Sequence, residues 1–334
     1  MEHLPVPLPQ RALTAPPAPR APRRWPVTLA RVRRRPRFDI RALPGCSGLP
    51  DWLVRVEAPF HDIIPGCQKR IRWAGEVGHP TETALVYLHG FSASGEELQP
   101  TLDRVAAGLG ANLFLTRLHG HGRGPAAMAE PRAADWMEDL SEAVAVGERL
   151  GRKVWLIGCS TGASLAALAA ADPRLAERLA GVVLVSPNFG LGRPHWQRVN
   201  WPLARHWLRL AMGGEIGFIP ASPAHGRYWT CHYPPSALVP MGWTARRAAR
   251  TDYGPVTLPT LILYSPEDHI VSVPEIRRIA ARWGRSGGRP PEVVERHLGP
   301  GDDPDRHILA GHVLSPGQID DTAQLLTGWI ATHG

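Results

Sequence analysis

The chain has 334 residues, enough for one large α/β domain or two small ones. Its formal net charge of +8 lies in an arginine-rich N-terminal stretch, so the remainder is formally neutral and does not indicate a nucleic-acid-binding domain. Four scattered cysteines are too few for a disulfide scaffold or a zinc site, and the absence of 18 consecutive apolar residues argues against a membrane span.

Residues 1–41 are the source of the net charge. They hold ten arginines and nine prolines against Glu2 and Asp39, with almost no apolar periodicity. Such a segment cannot bury enough surface to fold, so we predict a disordered arm over residues 1–45. Weak contact of this arm with anionic surfaces stays open, although the preference for arginine over lysine favours a compositional bias without function.

The first motif is the turn His89-Gly90-Phe91, which follows an apolar strand run at residues 84–88. Residues 68–74 before it fit an antiparallel edge strand. The backbone amide of Phe91 follows the strand at a position suited to donating to an oxyanion, while His89 is interpreted as structural, with its ring packed under the loop.

A second turn, His119-Gly120-His121-Gly122, follows the strand run at residues 112–116. Two histidines at this spacing invite interpretation as a metal site. No acid or cysteine lies at close ligand spacing, so a glycine-rich turn explains them better and no metal is predicted.

Residues 158–162 read Gly-Cys-Ser-Thr-Gly, between an apolar run and an alanine-rich helical stretch. A glycine-flanked serine between a strand and a helix is typical of a nucleophile elbow, in which a strained turn lifts the hydroxyl out of the sheet. Ser160 is therefore the candidate nucleophile. The amide of Thr161, at the start of the helix, is the second candidate oxyanion donor.

About 70 residues between Ser186 and Leu258 are not needed by a sheet. We predict that residues 187–255 form a cap, and that residues 46–186 and 256–334 form the core. The cap holds five of the 12 tryptophans. Aromatic enrichment over the serine suggests a wide apolar acyl pocket, and packing within the cap's own small core explains it equally well.

A strand run at residues 261–264 ends in a loop that carries Glu267 and Asp268. A rigid sheet can aim a carboxylate placed just after a strand. Asp268 is therefore the candidate acid, which would hold an imidazole in the required tautomer and stabilise its protonated form.

Strand and helix patterns alternate along the chain at the spacing of βαβ units. This alternation predicts the α/β class, with a mostly parallel sheet covered by helices on both faces. Helices are predicted at 133–149, 160–172, 273–284 and 316–332, and strands at 154–158, 181–185, 259–264 and 292–298.

The two glycine-containing turns, the Ser160 elbow and the Asp268 loop resemble, in order and approximate spacing, those of α/β-hydrolases of the carboxylesterase and monoacylglycerol-lipase type. The resemblance covers about residues 50–334. It implies the α/β-hydrolase fold, with a cap inserted over the active site, and a Ser-His-Asp hydrolase of carboxylic esters that uses no metal and no organic cofactor.

The base is expected in the loop after the last strand, which carries His307 and His312. In the hydrolases that this chain resembles, the catalytic histidine is followed by two aliphatic residues and, five positions on, usually by an acid. His307 fits that frame, with His312 in place of the acid. We choose His307, with His312 as the alternative and His297 at the strand end as a third option.

Together these residues predict a serine carboxylic-ester hydrolase that works through an acyl-enzyme intermediate. Short to medium acyl esters or monoacylglycerols are the expected small-molecule substrates. No nucleic-acid partner is expected, and the default location is cytoplasmic. A thioesterase, amidase, lactonase or carbon-carbon hydrolase on the same triad stays open, as does a catalytically silent fold that serves as a ligand receptor.

Overall fold

A computed structural model describes residues 38–334, and its strands alternate with helices along the chain. The strands are β1 (Arg70–Arg72), β2 (Thr81–Leu88), β3 (Asn112–Leu115), β4 (Gly151–Cys159), β5 (Gly181–Val185), β6 (Ile216–Gly217), β7 (His232–Tyr233), β8 (Thr260–Tyr264) and β9 (Glu292–Glu295). The helices are α1 (Leu49–Glu57), α2 (Thr101–Leu109), α3 (Ala133–Leu150), α4 (Thr161–Ala171), α5 (Pro173–Ala176), α6 (Ala204–Met212), α7 (Pro223–Tyr228), α8 (Leu238–Arg250), α9 (Val273–Ala280) and α10 (Ile319–His333).

Seven strands form one sheet in the order β1-β3-β2-β4-β5-β8-β9. β1 is antiparallel to β3 at one edge, and the other neighbouring pairs are parallel. The predictions of a mostly parallel α/β sheet and of an antiparallel edge strand near residues 68–74 are confirmed. β6 and β7 pair with each other in a separate two-stranded ribbon.

The central strands are buried on both faces because helices cover each side. Val86 and Leu88 of β2 belong to a core that includes side chains of α3 and α4, whereas Leu85 and Tyr87 belong to a second core with side chains of α2 and α10. Successive side chains of a strand point to opposite faces. A strand buried in this way must be apolar throughout, as the continuous run 84–88 is.

The chain leaves the sheet after β5 and returns at β8. The intervening residues carry α6, α7, α8 and the β6–β7 ribbon, and we call residues 187–255 the cap segment. Thr230 N–H donates to Ser92 O at 2.7 Å, and the Arg205 guanidinium donates to the carbonyls of Ala129 and Pro131. These bonds fasten the cap segment to the loops that follow β2 and β3. The domain boundaries themselves stay a prediction.

Four element ends differ from the sequence prediction by three or four residues. β4 begins at Gly151 where residue 154 was predicted, and α10 begins at Ile319 where residue 316 was predicted. The helix predicted to run to residue 284 ends at Ala280, and the strand predicted over 292–298 ends at Glu295. The strand stops because its partner does: Tyr264, the last residue of β8, is paired with Glu295, and the chain then turns into the acid loop.

The predicted arm lies mostly outside the described residues. Of its last eight residues, Ile40–Ala42 form one 3₁₀ turn and Leu43 is buried in the core. Within residues 38–334, none of the helices is both long and apolar enough to span a bilayer.

Candidate active site

Ser160 occupies a strained turn between β4 and α4. Its φ of 51° and ψ of −113° lie in a region that non-glycine residues rarely adopt. A side chain on Gly162 would place its Cβ 1.9 Å from Leu88 O, and one on Gly158 would lie 2.4 Å from Gly162 O. Only glycine therefore allows this turn to pack so closely, which explains why Ser160 has a glycine two residues before it and another two residues after it.

Asp268 lies in the loop after β8 with its carboxylate held from two sides. Oδ1 accepts the backbone N–H groups of Ile270 at 2.8 Å and Val271 at 2.9 Å. Oδ2 lies 2.7 Å from Nδ1 of His307. The two backbone donors fix the carboxylate, so that its second oxygen is aimed at the imidazole.

The backbone of His307 is also fixed at several points. Oδ2 of Asp303 accepts the N–H groups of His307 at 3.0 Å and Ile308 at 2.7 Å, and the Ser186 hydroxyl donates to His307 O at 2.7 Å. With Nδ1 engaged by Asp268, Nε2 is the ring atom left for proton transfer.

The charge state of the imidazole follows from these neighbours. Burial lowers the pKa of His307, but the charge and hydrogen bond of the Asp268 carboxylate, together with the smaller effects of the Asp303 and Glu97 charges, raise it by more. The result is a pKa raised from 6.5 to about 9. The site is thus built to stabilise the protonated imidazole.

The end of β5 is hydrogen-bonded both to Ser160, the candidate nucleophile, and to His307. Ser160 N–H donates to Val185 O at 2.9 Å, and the next residue, Ser186, holds the carbonyl of His307. Ser160 follows β4, Asp268 follows β8, and Ser186, which binds the backbone of His307, follows β5. These three strands are parallel neighbours, and ligands commonly bind at the carboxyl ends of such strands in open α/β sheets.

The Phe91 amide is oriented by hydrogen bonds on the carbonyl of its own peptide group. Gly90 O lies 2.9 Å from Nδ1 of His89, whose Nε2 accepts Leu118 N–H at 3.0 Å. Burial lowers the pKa of His89 to about 4, so the ring is neutral, with its proton on Nδ1. Because the peptide is planar and trans, holding the carbonyl turns Phe91 N–H the opposite way.

The second candidate donor is the amide of Thr161, the first residue of α4. Neither this amide nor that of Phe91 finds a hydrogen-bond acceptor among residues 38–334. Buried amides without partners are rare in folded proteins. Thr161 is buried and Phe91 is half-buried, and their amides, unpaired within the described part of the chain, are suited to receive an oxygen that acquires negative charge.

The other two candidate bases have different surroundings. His312 is exposed, and its Nδ1 lies 2.8 Å from the carbonyl of Gln99. The side chain of His297 is 68% exposed and lies 3.0 Å from Glu267. Of the three histidines, only His307 is in contact with Asp268.

The cap-segment aromatics divide between core, surface and site. Tyr233 packs edge-on against Phe91, with ring centroids 5.1 Å apart, while Trp229 is buried in the core. Trp201 and Trp243 are 57% and 46% exposed. These three tryptophans thus do not form one wall over the serine, and Tyr233 is a cap-segment ring in edge-on contact with Phe91.

Two other kinds of chemistry, metal binding and thiol chemistry, find less support among the described residues. Between residues 38 and 334 no group of three histidine, cysteine or acidic side chains is placed to hold a metal ion. Cys159, next to the candidate nucleophile Ser160, is a free thiol whose pKa is raised well above its usual value by burial.

The sheet order, the crossover helices and the serine elbow define an α/β-hydrolase. Residues 79–290 match the Hydrolase_4 family, described as serine aminopeptidase, S33. The chain belongs to this family and is a hydrolase. A comparison with curated proteins finds no significant match.

Solved structures share the fold at low sequence identity. A structure reported for the metagenome-derived lipolytic enzymes LipS and LipT has a TM-score of 0.62 and 21% identity, covering 81% of this chain and 98% of its own. A monoacylglycerol lipase of Paleococcus ferrophilus has a TM-score of 0.57 and 16% identity, covering 80% and 98%. Est1E of Butyrivibrio proteoclasticus, with bound ferulic acid, has a TM-score of 0.54 and 14% identity, covering 81% and 97%.

Sequence reasoning missed the residues that hold the site in place. Asp303 and Ser186 fix the backbone of His307, and Glu97 contacts the turn after β2. The Asp-Pro-Asp sequence at 303–305 is a recognisable turn signal. Nothing in the sequence distinguishes buried Glu97 from its neighbour Glu96.

Proposed function

We propose that this hydrolase is a serine carboxylic-ester hydrolase with Ser160 as nucleophile, His307 as base and Asp268 as acid. The observation that carries the proposal is the 2.7 Å contact between His307 Nδ1 and Asp268 Oδ2, at the same edge of the sheet as a serine held at a strained elbow. A buried histidine whose Nδ1 is bound by a carboxylate is oriented for general-base catalysis through Nε2.

In the proposed reaction, Ser160 Oγ attacks the ester carbonyl carbon while its proton moves to Nε2 of His307. The carbonyl oxygen becomes negative and accepts hydrogen bonds from the amides of Phe91 and Thr161. Collapse of this intermediate breaks the bond to the alcohol, which takes the proton from His307. Water then repeats the sequence on the acyl-enzyme and releases the acid.

Short to medium acyl esters or monoacylglycerols are the proposed substrates. The contact of Tyr233 with Phe91 supports an apolar wall next to the turn His89-Gly90-Phe91, which we call the oxyanion turn. The cap segment, residues 187–255, is proposed as the part that selects the substrate. Thioester, amide, lactone and carbon-carbon substrates use the same triad, so a panel that includes p-nitroanilides beside p-nitrophenyl esters separates these reactions.

The direct test is covalent labelling with a fluorophosphonate, in which the activated serine oxygen displaces fluoride from phosphorus. We expect labelling at Ser160 and none in Ser160→Ala, which should also lose about 10⁶-fold in kcat on a p-nitrophenyl ester while keeping its fold. Circular dichroism and the melting temperature control for folding. Absence of labelling in folded wild type would instead favour the ligand-receptor alternative.

A further inference from the structure

The acid Glu97 is fully buried directly behind the oxyanion turn. It lies between β2 and α2 and is 1% exposed. Its Oε2 accepts the Tyr87 hydroxyl at 2.5 Å and the Gly90 N–H at 2.8 Å. The neighbouring Glu96 has a different role, because its carboxylate pairs with Arg70.

Among residues 38–334 no cationic side chain forms an ion pair with the buried carboxyl group of Glu97, so its burial needs another explanation. Burial raises the pKa of Glu97, against hydrogen bonds from Tyr87 and Gly90 that favour the ionised form. Core positions are normally filled by apolar side chains, since taking a carboxylate out of water is unfavourable. The hydrogen bonds of Glu97 show what this side chain does that an apolar one cannot: it holds a backbone amide.

That amide belongs to the peptide group between His89 and Gly90, immediately before the peptide group that carries Phe91 N–H. Glu97 fixes Gly90 N–H, and His89 fixes Gly90 O, so the backbone is held on both sides of the Gly90 Cα. A Cβ on Gly90 would lie 2.6 Å from Glu97 Oε1 and 3.2 Å from Ser160 Cβ. The carboxyl group of Glu97 and Ser160 therefore both border the space that a side chain at position 90 would need, and only glycine fits between them.

We propose that Glu97 is a positioning residue that holds the Gly90 backbone so that Phe91 N–H points at the oxyanion. The proposal rests on the proposed function and assigns to that reaction a residue outside the triad and the amide donors. Its action is through the peptide and not through contact with substrate. Loss of this bond leaves the turn in place but lets the Phe91 amide move from the position that the transition state requires.

The test compares variants that keep or remove the hydrogen-bond acceptor. Glu97→Gln retains an oxygen for Tyr87 and Gly90, and should keep kcat within about fivefold of wild type. Glu97→Leu fills the space without an acceptor, and should lose about 10- to 100-fold in kcat with KM little changed, less than the loss of a whole oxyanion donor. Glu97→Asp, whose shorter side chain reaches Gly90 poorly, should lose about tenfold and serves if the leucine variant does not fold.

Glu96→Gln and Glu96→Leu are the matched controls, since that carboxylate does not touch the turn. They should leave kcat unchanged. The rate of fluorophosphonate labelling at Ser160 gives a second measure, because the phosphoryl oxygen also occupies the oxyanion site. Folded Glu97→Leu or Glu97→Asp that reacts at the wild-type rate overturns the positioning role. So does Glu97→Gln that is as slow as Glu97→Leu. An unreactive wild type refutes the proposed function itself.

Discussion

The backbone of His307 is more tightly held than a loop residue needs to be. Asp303 accepts its amide, Ser186 donates to its carbonyl and Asp268 holds its ring. In the proposed reaction the imidazole of His307 gains and loses a proton in each half of the cycle, so it must keep one orientation while its charge changes. Backbone bonds that do not involve the ring give it that constancy.

Replacing the two loop histidines one at a time tests which of them is the base. His307→Ala should reduce kcat on a p-nitrophenyl ester by several orders of magnitude, by analogy with other triad knockouts of up to about 10⁶-fold. His312→Ala, which removes an exposed ring bonded to a backbone carbonyl, should retain most of the activity. The opposite pattern would mean that His312 is the base.

The pH dependence of activity should follow the pKa of His307. Only the neutral ring accepts a proton, so kcat/KM should rise with pH through a midpoint near the pKa of about 9. Asp268→Asn removes the charge that raises this pKa, so its residual activity should have a lower midpoint. An unchanged midpoint in that variant would show that a different group titrates.

The same group links pH to stability. Its pKa is raised on folding, so the stabilisation by protonated His307 is complete below about pH 6.5 and is lost as the pH rises through about 9. His307→Ala should therefore lose stability mainly on the acidic side of that window. Urea unfolding of wild type and variant at pH 6 and pH 10 measures the difference.

At the level of elements, glycines decide how closely α4 approaches the sheet. Gly162→Ala would place a Cβ 1.9 Å from Leu88 O, so α4 must shift and carry Ser160 with it. We expect a loss of several kcal/mol in the free energy of unfolding together with loss of activity. Gly328→Ala is the control: it lies in α10 with nothing within 4 Å, and should be neutral or stabilising by up to about 1 kcal/mol. Urea unfolding of both variants is the measurement, and equal effects would contradict a steric cause.

Most helices and strands could be predicted because the apolar periodicity of an element, and the glycines that end it, are signals within its own sequence. β5 and β8 were predicted to within a residue, and α3 and α4 likewise, since each combines a continuous apolar pattern with a clear start or stop. β9 was predicted too long, because its end depends on where β8 turns away, which its own residues do not encode.

The site was predictable to a different degree. The elbow and the acid loop carry local signals, and the histidine was chosen by resemblance. The side chains that orient these groups come from distant parts of the chain: Ser186 and His307 are 121 positions apart. Glu97 is buried and Glu96 is not, and this difference depends on tertiary packing. Two adjacent glutamates look the same in the sequence, so it could not be predicted.

For the whole molecule, the N-terminal arm stays a prediction from composition. Deleting residues 1–37 removes the net charge of +8, because Asp39 and Arg41 cancel. The cut falls before Phe38 and Leu43, which pack on the core. We expect the truncated protein to have a near-neutral isoelectric point and kcat/KM on a soluble ester within about twofold of full length. Isoelectric focusing and steady-state assays check this, and a large loss of stability or activity would mean that the arm docks on the domain.

β9 lies at the edge of the sheet, and this position bears on how the enzyme loses activity under heat or denaturant. Ser160 and Asp268 follow interior strands, but the loop of His307 follows a four-residue edge strand that pairs on one side with β8. Edge strands with exposed hydrogen bonds open at a lower free energy than the centre of a sheet. We expect partial opening at this edge to loosen the loop that carries His307, against the bonds from Ser186 and Asp268, while the other strands remain folded. Under heat or denaturant we therefore expect activity to be lost through fraying of this one short strand before the rest of the protein unfolds.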